Sequence, residues 1–146
     1  MSWRKQELAR FSTSLSWLPE DKAQRTFARA NATTSRGRYG LNESVWDIRE
    51  RWDVEKIGAS ATRAKLASYA RDEEFFLCFG SHDVCRISRI AFLDHWQDMF
   101  APSRDDVVVM PDSEEWCLFY CHEDEFEAGR KKAPNQTSEP TRETGP

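Results

Sequence analysis

The chain has 146 residues and a formal net charge of −4, with 39% hydrophobic and 12% aromatic residues. That size fits one globular domain, and no stretch reaches the ~18 uninterrupted apolar residues of a transmembrane helix. Residues 1–7 are polar and lack the apolar core of a secretory signal, so a cytoplasmic protein with reduced thiols is expected.

In residues 1–40, Leu8, Phe11 and Leu15 recur at the spacing of one helix face. Pro19 suits the first turn of a second helix, and Glu20 and Asp21 favour its positive end. Ala23, Phe27 and Ala30 give that helix an apolar stripe, and residues 31–40 read as a loop. Ser44 with Asp47 resembles a capping box, and Val45, Ile48 and Trp52 then predict a third helix. Gly58 breaks the chain, and Ser60 caps a helix reaching Arg71.

The pattern changes at Glu74. Residues 74–79 form an almost wholly apolar strand, residues 80–83 carry turn chemistry, and residues 84–88 alternate with the period of a half-buried strand, which predicts a hairpin. Ser88 caps a helix with Leu93, Trp96 and Phe100 on one face, and Pro102 lies beyond its end. Residues 107–110 read as a buried strand. Residues 116–122 read as the longest strand, central and covered on both faces, because both alternating sets are apolar. Phe126 continues as an edge strand or packs back. Residues 131–146 hold no aromatic or large aliphatic residue and are expected to be a disordered polar tail. The fold class is α+β: one domain over 1–130, with N-terminal helices followed by a small, mostly antiparallel sheet in the order β-β-α-β-β.

Four cysteines, Cys78, Cys85, Cys117 and Cys121, accompany His82 and His122. Their spacings are not those of paired zinc knuckles. Cys117 and Cys121 lie roughly 13 Å apart on an extended strand, too far to share an ion. They read as small buried hydrophobes, with no cofactor or metal expected. A thiol inside an apolar strand is a poor nucleophile, and no phosphate-binding glycine loop or serine elbow occurs. A small Cys/His metal-binding module or enzyme stands as the alternative function. The N-terminal cations Arg25, Arg29, Arg36 and Arg38, with Tyr39, are interspersed with acids, so no nucleic-acid partner is expected, and no membrane.

Charge is the stronger signal. Residues 1–40 carry eight basic and three acidic side chains, whereas residues 104–130 carry two basic and nine acidic ones. Asp112, Glu114 and Glu115 precede the strand at 116–122, and Glu123, Asp124, Glu125 and Glu127 follow it. The two groups fall at opposite ends of that strand, roughly 20–25 Å apart, with Trp116, Phe119 and Tyr120 between them. These seven carboxylates are the candidate partner-binding residues, since charges steer association and aromatic anchors hold it.

The run from Trp116 to Glu127, with the chain's size, acidity and aromatic content, resembles the end of several small bacterial immunity-protein families of polymorphic and contact-dependent toxin systems. The likeness covers residues 74–130. It implies a non-catalytic protein that binds one cognate toxin tightly and occludes its active site. The positive N-terminal part is not typical of inhibitors of nucleases.

Overall fold

The computed structural model describes residues 2–35 and 40–133. Its centre is one antiparallel sheet of seven strands in the order β1-β4-β3-β5-β6-β7-β2. The strands are β1 (Leu15–Trp17), β2 (Trp46–Asp53), β3 (Glu74–Gly80), β4 (Asp83–Ser88), β5 (Val107–Met110), β6 (Trp116–Cys121) and β7 (Glu125–Lys131). The helices are α1 (Trp3–Glu7), α2 (Glu20–Asn31), α3 (Val54–Ile57), α4 (Ala59–Tyr69) and α5 (Arg89–Met99).

Both sheet faces are covered. On one face Leu8, Leu66, Tyr69, Phe92, Trp96 and Phe100 pack against Phe75, Leu77, Leu118, Tyr120 and Phe126. On the other, Ala23 and Ala30 of α2, with Leu41 and Trp46, pack against Phe76, Cys78, Val108, Cys117 and Phe119. This explains β6, where all six residues are buried. Its even positions face the α4–α5 layer and its odd positions face α2.

The β3–β4 hairpin forms as the alternation predicts, with Phe75 opposite Ile87 and Leu77 opposite Cys85. Ser88 caps α5 by accepting from the Ala91 amide at 3.1 Å. Glu20 opens α2 immediately after Pro19. Arg89 donates to the carbonyls of Ala70 at 2.7 Å and Ala67 at 2.9 Å, closing the end of α4.

Several expectations change. Residues 8–15 are not one helix: α1 gives way to a 3-10 turn at Ala9–Phe11, and Leu15 begins an edge strand, although Leu8, Phe11 and Leu15 all reach the same core. Residues 46–53 are a strand, not a helix. The misleading spacing of Ile48 and Trp52 comes from a β-bulge. Ile48 pairs with Gly129 and Glu50 with Ala128, so Arg49 is the extra residue. Trp46 therefore faces the α2 side and Trp52 the other. The helix expected to start at Ser60 is capped instead by Gly58, at φ 90°, and ends at Tyr69. The longest strand is β2, not β6.

The strand order is also richer than β-β-α-β-β. Two strands lie among the N-terminal helices, and β7 follows β6 as an interior strand between β6 and β2. Lys131, expected in the tail, closes β7 opposite Trp46 and donates its amide to the Glu115 carbonyl at 3.0 Å. Of the loop at 31–40, residues 36–39 lie outside the described residues, as do residues 134–146 of the tail.

Candidate functional site

The two acidic groups do lie at opposite ends of β6, one in the β5–β6 turn and one around the β6–β7 turn. Their members behave differently. Arg29, in the last turn of α2, reaches the β5–β6 turn and donates to Glu114 from Nε at 2.9 Å and Nη2 at 2.6 Å. It also donates to Asp112 Oδ1 at 3.3 Å and the Asp112 carbonyl at 3.0 Å. The Glu114 hydrogen bond, more than any other contact, raises the Arg29 pKa. Asp112 and Glu114 are thus clamped to α2 by one guanidinium. Glu115 stays exposed, with no side-chain partner among the described residues.

At the other end, Glu127 is a correction. It is 5% exposed, on the face of β7 that meets Leu41, and its Oε1 accepts from the Leu41 amide at 2.5 Å. Glu125 accepts from Arg51 Nε at 2.8 Å, a cross-strand pair on β2 and β7. Asp124 sits at φ 61° in the turn and accepts from the Tyr120 hydroxyl at 2.7 Å. Burial, helped by that carboxylate, pushes the Tyr120 phenol well above its usual value. The Asp124 carbonyl accepts from the Val54 amide at 2.9 Å, joining the turn to α3. Glu123 is exposed and has no side-chain partner among the described residues.

Glu123 borders a cleft of about 530 Å³ between the start of α4, the end of α5 and the β6–β7 turn. Glu55, Gln97, Ser103, His122 and Asp124 also line it. Among the described residues that line it are three acidic ones, Glu55, Glu123 and Asp124, and no lysine or arginine. Sequence reasoning missed Glu55. Nothing local marks it, because what brings α3 to the cleft includes the Val54 amide bond to the distant Asp124 carbonyl.

His122 Nδ1 lies 3.0 Å from Asp106 Oδ1, which also accepts the His122 amide at 3.0 Å. This holds the ring as an orienting carboxylate holds a catalytic histidine. Ser103, in the same cleft, makes no side-chain hydrogen bond among the described residues.

The thiols are all free and buried. Burial pushes Cys78 up to about 12 and drives Cys117 well above the usual thiol range. Cys78, His82 and Cys85 do not converge. Among the described residues the one group of three metal-donor side chains is Cys121, Glu123 and Glu125, within 4.8 Å of one another. Arg51 already neutralises Glu125 in that group. Of the N-terminal cations, Arg25 pairs with Asp21 at 3.4 Å and Arg29 with the β5–β6 turn. Arg36, Arg38 and Tyr39 lie outside the described residues. No described helix is long and apolar enough to cross a membrane.

Compared with known proteins, the chain matches no family model, no curated protein and no solved structure.

Proposed function

We propose that this chain is a bacterial immunity protein, acting in the cytoplasm without catalysis of its own, that binds a cognate toxin carrying a basic active-site surface and occludes it. The observation that carries the reading is the cleft at the β6–β7 turn, whose described lining residues include Glu55, Glu123 and Asp124 and no lysine or arginine. An uncompensated acidic recess raises the local concentration of a basic partner and speeds encounter. The adjoining sheet is buried on both faces, packing that favours a recess preformed before binding.

The binding role belongs to Glu123 and its cleft neighbours rather than to all seven carboxylates. Glu127 is buried, Glu125 serves Arg51, and Asp112 with Glu114 serves Arg29. Reversing Glu123, Asp124 and Glu125 together would also break the Tyr120 and Arg51 bonds. Glu123→Lys alone is the clean test. In co-expression with the polypeptide encoded directly upstream of this gene, the parent chain should restore growth. Glu123→Lys should keep the parent thermal midpoint, slow association about tenfold at low salt and weaken protection, with the difference shrinking as salt rises. An upstream product that is harmless, or against which the parent chain gives no protection, overturns the immunity reading. A fully protective Glu123→Lys variant overturns the site.

A further inference from the structure

Resting on that reading, we infer that Trp3 is the aromatic anchor of the partner-binding surface, on a face continuous with the acidic cleft. The chain has six tryptophans. Trp46, Trp52, Trp96 and Trp116 are buried and Trp17 is half-buried, whereas Trp3 is 58% exposed. Leaving the largest apolar side chain in water is costly when a core stands ready to take it.

Nor is this exposure the fraying of a loose end. Ser2 caps α1 by accepting from the Lys5 amide at 3.1 Å, and its hydroxyl donates to Asp83 at 2.7 Å. Next to Trp3, the Arg4 guanidinium lies between two rings, 4.5 Å from the Trp3 centroid and 4.5 Å from that of Phe79. Arg4 is fixed by two bonds to the buried Asp105, at 3.0 and 3.1 Å. Arg104 lies 5.1 Å from the Trp3 ring. The indole is thus held in place by two cations whose charges Asp105 and Glu7 already balance. A ring ordered before binding loses little further entropy on binding, a property of interface hot spots.

The chain joins this platform to the cleft. Arg104 touches Trp3, its neighbour Ser103 lines the cleft, and the Ser103 amide donates to the His122 carbonyl at 2.6 Å beside Glu123. The fixed aromatic group is thus linked through Arg104 and Ser103 to the cleft residues Glu123 and Glu55, which have no side-chain partner among the described residues. The occupant of this surface is a basic protein with an apolar recess for the indole and lysines or arginines opposite Glu123 and Glu55. The competing role for Trp3 is to shield the Arg4–Asp105 pair from water, which predicts a loss of stability and no direct effect on binding.

The test uses the full chain and the polypeptide encoded directly upstream. Trp3→Ala should weaken the complex about 30-fold or more, mainly through faster dissociation, with Trp3→Phe recovering part of the loss. Ile90→Ala should change nothing. Ile90 is 72% exposed, but it lies where Arg89 closes the far end of α4, away from the cleft. Oxidative footprinting of the parent protein gives the same answer without a substitution: Trp3 should be modified rapidly when free and protected in the complex. Unchanged modification, or a folded Trp3→Ala variant that binds like the parent, overturns the anchor while leaving the immunity reading intact. Failure of the parent chain to bind the upstream product overturns that reading instead, and the anchor with it.

Discussion

Asp105 is the most consequential single residue. Its side chain is fully buried and accepts from Arg4 Nη1 and Nη2, from Arg104 Nε and Nη2, and from the Ala101 amide. Burial alone would raise its pKa, but the hydrogen bonds from Arg104 and Arg4 outweigh burial and lower it to about 2. An unfolded aspartate titrates near ~3.9. The resulting stability is fully present above that value and is lost as pH falls through about 2. Urea midpoints at pH 6, 4, 3 and 2 should therefore fall across the acid range. Asp105→Asn should remove Asp105's part of that fall and cost about 3 kcal/mol at pH 6, because buried Arg4 is left with only Glu7, at 3.6 Å, as counter-charge. In the sequence Asp105 is one of nine carboxylates within residues 104–130, and its partner Arg4 is 101 residues away, so its role is not legible there. The cysteines are the opposite case. Their place in apolar runs already announces burial, and a native thiol reagent should label Cys78 and Cys117 far more slowly than in denaturant. Rapid native labelling of either would mean that the sheet opens readily.

At the scale of elements, β2 shows how a local pattern misleads. Its burial runs from Trp46 to Trp52 across a bulge that switches sheet faces, so the spacing mimics a helix while the backbone pairs with β7. The pairing is tight. A Cβ on Gly129 would stand 3.0 Å from Trp46 Cβ and 3.2 Å from Leu41 Cδ1. Gly129→Ala should therefore cost about 1–3 kcal/mol by overpacking, measured as a lower denaturant midpoint with unchanged slope. An unaltered midpoint would show that β2 and Leu41 move apart easily. The tie between α2 and the β5–β6 turn calls for a milder expectation. Arg29 is 40% exposed, so Arg29→Ala should cost no more than about 1 kcal/mol. It frees Asp112 and Glu114 without touching the cleft, and protection should persist. Loss of protection at full stability would move the binding surface to that end of β6.

For the whole molecule, the described structure ends at Ala133, just past β7. Residues 134–146 contain no large apolar side chain, so ending the chain after Ala133 should leave the thermal midpoint unchanged. Ending it after Arg130 should lower the midpoint, since it deletes Lys131, which pairs with Trp46 and bonds to Glu115. Equal midpoints for the two truncations would show that the last residue of β7 contributes nothing. The sequence by itself determined the α+β class, the β3–β4 hairpin, α5 with its Ser88 cap, and β6 as a strand buried on both faces. Those features follow from periods of two and 3.6 residues and from capping, which neighbouring residues settle among themselves. Only the tertiary structure decided that the sheet has seven strands, that β2 switches faces, and that Glu123 and Glu115 have no side-chain partner among the described residues while Glu127 is buried. Whether a carboxylate is available depends on which distant cation or amide reaches it. Arg29 and Glu114 lie 85 residues apart and Leu41 and Glu127 lie 86 apart, so folding alone sets which charges are left for a partner.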